Sequence, residues 1–264
     1  HGLLIGRCAS FQSERIACDG YENGRRGYHN DPPLGHLVAL QSDLVHTHFP
    51  GGSMQFSEYR RQYTLAGLRR SDLRPDPVDL FTHWQTQAIN AGLADPTACV
   101  LATGQTDTGL RQRMVLMKGV DERGLVFYTN YQSGKAEALA ESAMASMLFP
   151  WNELDRQVSV SGRITRIDET ASDDYFASRP RDSQLGAWAS AQSQAIDSRD
   201  ALLAQWSEVK NRFGDGSIPR PPHWGGYRLA PLNWEFWQGG ENRLHDRFRY
   251  QHSDDGWVIT RLQP

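Results

Sequence analysis

Leu80, Phe81, Trp84, Ala88 and Ile89 recur at the 3.6-residue spacing of a helix and predict one amphipathic face. Asp76 and Pro77 supply its start, a capping carboxylate followed by proline in the first turn, and Gly92 supplies its end. After that helix the period shortens. Ala98 to Thr103, Arg113 to Lys118 and Leu125 to Thr129 read as strands, with Asp121-Glu122-Arg123-Gly124 as the hairpin turn between the last two. A short helix follows from Ser133, with Ala136, Leu139 and Ala140 turned inward. Met144 to Phe149 is a further strand. Val158, Val160, Gly162 and Ile164 alternate with their neighbours, the mark of a half-buried strand. Helical spacing returns at about 170–178, 183–191 and 198–213, and Pro219, Pro221 and Pro222 break it. Strands resume at Gly226 to Leu229, Trp234 to Gln238, Phe248 to Gln251 and Trp257 to Leu262.

Strands joined mostly by hairpins, with helices inserted between them, predict a mainly β fold: an antiparallel β-barrel with helices, not a doubly wound βαβ sheet. A chain of 264 residues, 39% of them hydrophobic, is long enough to bury a sizeable core. The first 53 residues do not share this patterning. They hold five of the nine histidines and eight of the 24 glycines, but no Lys, Trp or Met, and turn-rich pieces such as Glu22-Asn23-Gly24 interrupt any period. Residues 1–53 therefore read as a disordered N-terminal extension, and 54–264 as the folded domain. The scattered histidines lack metal-ligand spacing, so no metal is expected.

A formal net charge of −3 argues against a general nucleic-acid binder, and no apolar run approaches the roughly 18 residues of a membrane span. Three cysteines are too few for a disulfide framework, which points to the cytoplasm. Cys99 lies in an apolar run and reads as a buried structural thiol. Neither a nucleotide-binding glycine loop nor a Gly-x-Ser-x-Gly elbow occurs. Of the 28 basic residues only three are lysines, Lys118, Lys135 and Lys210, which singles each of them out.

Four polar clusters sit on otherwise apolar segments. Arg113 and Lys118 bracket a strand whose alternation places Arg113, Val115 and Met117 on one face and Met114, Leu116 and Lys118 on the other. Cations at both ends suit an anion, although two solvated strand ends read equally well. Tyr128, Thr129 and Asn130 precede Ser133-Gly134-Lys135 at a helix start, where free N–H groups favour an anion and a lysine otherwise opposes the helix dipole; a plain capped surface helix is the alternative. Tyr175, Arg179 and Ser183 are four residues apart and share a face if one helix runs through Pro180, a phosphate-like set of donors or else a solvated helix. Alternation across Arg243-Leu244-His245-Asp246-Arg247 puts three cationic groups on one strand face, where they repel unless an acceptor lies between them.

At these residues the chain resembles the pyridoxamine/pyridoxine 5′-phosphate oxidase family, over some 200 residues from about Tyr59 to Pro264. The run Glu235-Phe-Trp-Gln-Gly to Arg243-Leu-His-Asp-Arg247 is its most specific signature. Phe127 to Asn130, Arg156-Gln157-Val158, Ser178 to Gln184 and Trp224-Gly-Gly-Tyr-Arg228 match in order. The resemblance implies an FMN-binding split β-barrel working as a homodimer, with flavin at the subunit interface. It implies oxidation of pyridoxamine 5′-phosphate or pyridoxine 5′-phosphate to pyridoxal 5′-phosphate, with O2 as oxidant, H2O2 released, and a hydride passing from substrate C4′ to flavin N5. Carried over by position, FMN would be met by Arg113, Met114, Val115, Leu116, Lys118, Tyr128 and Thr129, then by Lys135, Gln157, Gln192, Ser193, Trp237 and Arg247. The substrate phosphate would be held by Lys118, Tyr175, Arg179 and Ser183, and the reacting ring positioned by Arg243 and His245 as the catalytic pair. Arg60 to Tyr63 would close over the substrate.

Two positions depart from the pattern. Gly134 stands where many family members have arginine, which removes one phosphate contact, and Trp234 replaces an aliphatic residue before the signature Glu235. Another split-barrel flavin reductase and a non-enzymatic carrier of pyridoxal phosphate are the competing readings. Gly134 alone favours the carrier.

Overall fold

The computed structural model describes residues 61–65, 67–105 and 109–264, all within the unit Ser57–Pro264. The expectations for residues 1–53 and for Arg60 lie outside the described residues. Nine strands form one antiparallel sheet: β1 (Ala98–Gln105), β2 (Gly109–Leu116), β3 (Gly119–Asp121), β4 (Gly124–Asn130), β5 (Met144–Trp151), β6 (Arg156–Arg166), β7 (Trp224–Gln238), β8 (Asp246–Ser253) and β9 (Gly256–Leu262). Among the described residues five α-helices are inserted: α1 (Pro77–Asn90), α2 (Gly134–Ser142), α3 (Glu169–Ser178), α4 (Arg181–Ala189) and α5 (Arg199–Phe213). Among the described residues no helix is long and apolar enough to cross a membrane.

The mainly β, antiparallel architecture is as the pattern implies, but the sheet does not close into a ring. Its order is β2-β1-β5-β6-β7-β4-β3, and β8 carries β9 on the side of β7. The reason lies in β7. Leu229 to Trp224 pair with β4, whereas Asn233 to Gln238 pair with β8, so the two halves of one strand serve different neighbours while β6 runs beside both. The sequence reads as two strands there because Ala230-Pro231-Leu232 interrupts the alternation. The structure keeps one strand and absorbs Pro231 in a register shift opposite Ser161 and Gly162. Gly162 is obligatory at that bend, since a Cβ there would lie 2.0 Å from the carbonyl oxygen of Ala230.

β2 also differs from expectation. It ends at Leu116 and pairs with β1, while the turn at Glu122-Arg123 joins the three-residue β3 to β4. Alternation specifies faces and says nothing about which strand lies alongside, so the expected hairpin of the 113–118 strand with the 125–129 strand is not the pairing formed. The predicted faces are present: Met117 is buried and Arg113 and Val115 are half-buried, whereas Met114, Leu116 and Lys118 are exposed.

α1 is capped as expected, with the Asp76 carboxylate accepting from the Val78 N–H at 2.8 Å. Leu80, Phe81, Trp84 and Ala88 are buried, but Ile89 is 54% exposed because the inward stripe ends at Ala88. Phe81 packs on Phe149 and Trp234, and Trp84 meets Phe236 edge-on. Trp234 is fully buried in this cluster. Cys99 is also fully buried, and burial pushes its thiol up to about 12, so it packs as an inert residue. On α2, Ala136 and Leu139 face inward, but Ala140 is exposed and Lys135 takes a buried place instead.

Candidate functional site

β2, β4, α2 and the α3–α4 corner enclose a cavity of about 480 Å³. Met114, Val115, Leu116 and Lys118 form one side, Tyr128, Thr129 and Lys135 the next, and Tyr175, Arg179 and Ser183 the third, with Gln192 and Trp224 completing it. Among the described residues no Asp or Glu lines it. Eleven of the sequence-predicted residues thus meet in one cavity whose charged groups are all cationic.

Lys135 is buried, yet among the described residues no carboxylate is hydrogen-bonded to it. Its Nζ donates to Thr129 Oγ1 at 3.0 Å, Ser133 Oγ at 3.1 Å and Gln192 Oε1 at 3.0 Å. The turn before α2 fixes these acceptors: Ser133 Oγ donates to the Asn130 carbonyl at 2.7 Å, and Asn130 Oδ1 accepts from the Gln132 N–H at 2.7 Å. Burial, and next the positive charge of Arg113, lower the Lys135 ammonium to about 8. Arg113 does not itself line the cavity; it stands close enough for its charge to act on Lys135 and donates to Thr103 Oγ1 at 2.7 Å. Ser193 stands beside the wall at Gly134, in a left-handed conformation with φ 75°.

Arg179 is the second uncompensated cation. It is not on a continuous helix with Tyr175 and Ser183: α3 ends at Ser178, Arg179 caps it, and Pro180 opens α4. Pro180 breaks the helix, as its missing N–H requires, and the corner still brings all three side chains to the cavity. The Arg179 guanidinium lies 4.6 Å over the Trp224 ring, and its buried Nη1 has no hydrogen-bond partner among the described residues. Burial lowers its pKa, with Tyr175 opposing. Tyr128 stacks on Tyr175 with centroids 3.9 Å apart, and both rings stack on Trp224. Trp224 was not among the predicted site residues. A tryptophan followed by two glycines at a strand start was the available signal, because those glycines let flat rings approach the backbone. A Cβ on Gly226 would lie 2.9 Å from the Tyr128 ring and 2.4 Å from Ile167. Gly226→Ala is therefore expected to lower thermal stability by about 1–3 kcal/mol and to perturb the near-ultraviolet circular dichroism of the stacked rings, and an unchanged spectrum and melting temperature would refute this packing.

The remaining predicted residues gather elsewhere on the chain. Arg61, Tyr63, Gln157 and Trp237 line a separate cavity with Asn152 and Asp155. Tyr63 sits edge-on to Trp237 and to His245, over Gly239, where a Cβ would come within 2.7 Å of its ring. The His245 Nδ1 accepts from the Gly240 N–H at 3.1 Å, which leaves the proton of the neutral ring on Nε2. Burial, then Arg243 and Arg247, lower the His245 pKa.

The expected common strand face for Arg243, His245 and Arg247 is not formed. β8 begins at Asp246, and Arg243 ends a 3-10 turn, Glu241–Arg243, in which Asn242 and Arg243 both adopt left-handed φ values of 55° and 64°. The repulsion is resolved differently for each residue. Arg247 pairs with Glu235 at 2.8 Å, His245 stays neutral, and Arg243 is exposed with its guanidinium 5.9 Å from the Tyr63 ring.

The site residues suit a phosphorylated flavin: a buried lysine lacking a counter-ion, an orphaned guanidinium nitrogen and hydroxyls converge beside flat aromatic walls. Comparison with known proteins points the same way. Residues 85–213 match the family described as pyridoxamine 5′-phosphate oxidase, and residues 224–264 match the pyridoxine 5′-phosphate oxidase C-terminal dimerisation region. The pyridoxine/pyridoxamine 5′-phosphate oxidase of Teredinibacter turnerae is 50% identical over 211 residues, 80% of this chain and 100% of that protein. The enzyme of the same name from Cronobacter sakazakii is 51% identical over 210 residues, 80% of this chain and 96% of that protein. Among solved structures, PhzG from Burkholderia lata 383, in complex with tetrahydrophenazine-1-carboxylic acid, is 33% identical with a TM-score of 0.71, covering 76% of this chain and 99% of its own. An FMN-binding protein from Nostoc punctiforme, 17% identical with a TM-score of 0.59 over 73% of this chain and 100% of its own, shares the fold. With 50% identity over 211 residues that span the full length of a relative, this chain belongs to the pyridoxamine/pyridoxine 5′-phosphate oxidase family.

Proposed function

We propose that this chain oxidises pyridoxamine 5′-phosphate or pyridoxine 5′-phosphate to pyridoxal 5′-phosphate, with FMN as cofactor, O2 as the final oxidant and H2O2 as the second product. The carrying observation is the buried Nη1 of Arg179, which has no hydrogen-bond partner among the described residues, in a cavity lined by no described carboxylate that also holds Lys118, Tyr175 and Ser183. An unsatisfied buried donor is costly, and a phosphate oxygen satisfies it. Lys118, Tyr175, Arg179 and Ser183 hold the substrate phosphate. Lys135, Thr129 and Gln192 receive FMN, with Arg113, Ser193 and the β2 residues Met114 to Leu116 around them.

FMN, when bound, supplies the acceptor for two electrons, so the chain itself provides binding and orientation. Gln157, Trp237, Arg243, His245 and Arg247 lie in or next to the other cluster, and the two cavities share no lining residue. A homodimer reconciles the two, because the second cluster lies in or against the stretch matching a dimerisation region. In that reading one copy binds the phosphates and its partner presents Arg243 and a neutral His245 to the substrate ring.

Purified protein should be yellow and should form pyridoxal 5′-phosphate from pyridoxine 5′-phosphate in air with matching oxygen uptake. A colourless protein that binds pyridoxal 5′-phosphate without making it would overturn the oxidase in favour of a carrier. The His245 environment adds a pH prediction. Its pKa lies below the usual 6.5, and protonation removes the Nδ1 acceptor of Gly240, so kcat/KM should fall only below that pH. An acid limb centred above 6.5, or one that persists in His245→Asn, would exclude this role.

A further inference from the structure

The glycine at the start of α2 leaves room that a neighbouring strand fills. A Cβ built on Gly134 would lie 3.8 Å from Arg111 Nη1 and 3.9 Å from Ser193 Oγ, so this guanidinium and this hydroxyl approach the opening that a side chain at 134 would take. Arg111 stands on β2 opposite Thr103, two residues before Arg113. It is exposed, and no hydrogen bond or ion pair to it is found among the described residues. Burial and then the charge of Arg111 depress the Arg113 pKa, while Arg113 in turn depresses Lys135. Arg111, Arg113 and Lys135 thus form a chain of three mutually repelling cations. None of the three has a carboxylate partner among the described residues.

We infer that Arg111 is a cofactor-binding residue, supplying the FMN phosphate with a guanidinium from β2 at the place where residue 134 offers only hydrogen. The inference rests on the reading of this chain as an FMN protein. It explains why three cations converge there, since one dianionic phosphate relieves the repulsion between them. It also answers the doubt raised by Gly134 alone: the cation absent from the helix start is present from the adjacent strand. Arginine suits the task because its planar fork reaches a phosphate from the side while Lys135 meets it as a point charge. A long side chain at 134 would contend with Arg111 for the same space, although a Cβ alone would meet it only in ordinary contact.

The full chain, loaded with FMN, tests this by the flavin fluorescence that appears as cofactor dissociates on dilution. Arg111→Ala should weaken FMN about tenfold, in line with the loss of one charge-assisted contact, and should flatten the salt dependence of Kd. Riboflavin, which lacks the phosphate, should bind wild type and variant equally. Gly134→Arg placed in the Arg111→Ala background should restore FMN affinity, a result that a merely structural role for Arg111 does not produce. FMN affinity unchanged by Arg111→Ala, or riboflavin weakened as much as FMN, overturns the assignment. Failure of the wild-type chain itself to bind FMN overturns the underlying reading instead.

Discussion

Lys135→Met should weaken FMN about a hundredfold while leaving the flavin-free chain more stable than wild type at pH 7. The two effects have one cause. In the free protein a buried ammonium is held, among the described residues, by neutral oxygens from Thr129, Ser133 and Gln192, and is repelled by Arg113. That arrangement costs stability until an anion arrives. Methionine fills a similar volume without the charge, so the melting temperature of the flavin-free variant should rise by about 2–4 °C. The wild type should carry a pH signature. Its Lys135 pKa is lowered from 10.5 to about 8, so between those values the unfolded chain binds more protons than the folded one. Stability of the flavin-free wild type therefore gains from this group as pH rises from 8 to 10.5, and the burial cost is present in full below 8. FMN affinity runs the other way, falling as pH rises above about 8, because the phosphate then meets a neutral amine. Both trends should vanish in Lys135→Met. Thermal melts and FMN titrations across pH 7 to 10.5 check this, and a variant that loses stability while keeping FMN would show that Lys135 is structural.

The stretches with a strong local period were legible from the residues alone. Asp76-Pro77 and the Leu80-to-Ala88 stripe specify α1 without reference to anything distant. Val158, Val160 and Ile164 specify the buried face of β6 in the same way. Local period carries no information on partners, and there the reading and the structure part. The sheet neighbour of β2 and the merger of two runs into β7 around Pro231 depend on contacts far along the chain. The candidate site follows the same division. Lysine scarcity drew attention to Lys118 and Lys135, and both line the cavity. The wrong geometry for Tyr175, Arg179 and Ser183 nonetheless gave the right grouping, because a break at Pro180 turns the chain without moving the three side chains apart. Trp224 escaped notice because its role comes from stacking on Tyr128 and Tyr175, residues about 50 to 95 positions earlier. Arg111 escaped because a charge on an exposed strand position looks solvated until Gly134 is seen beside it.

Arg243→Ala should lower turnover about a hundredfold while leaving FMN affinity within a factor of two or three. Arg243 does not line the cavity of its own chain, and in the proposed dimer it meets the substrate ring while Lys135 and Arg179 keep the phosphates, so FMN is held as before when it is removed. Its backbone is the unusual feature. Asn242 and Arg243 are consecutive left-handed residues, a conformation that costs of order 1–3 kcal/mol at each non-glycine position. Strain of that size persists where the surroundings enforce it. Here the turn is closed by the Leu244 N–H donating to the Glu241 carbonyl at 2.9 Å and by His245 accepting from Gly240. The turn therefore aims Arg243 outward beside Tyr63 rather than into its own sheet. A side chain held outward at such cost is placed to act on something beyond its own chain, which in the proposed dimer is the substrate ring over the partner's cavity. Loss of the guanidinium lets the ring move from its reactive pose, and displacements of about 1 Å are worth factors of a hundred. Stopped-flow reduction of bound flavin under anaerobic conditions isolates this step from oxygen. The rate of reduction should fall in Arg243→Ala and recover little in Arg243→Lys, because a point charge does not reproduce a planar fork. Full-rate reduction with weakened substrate binding alone would assign Arg243 to capture of the substrate and remove it from the positioning of the reacting carbon.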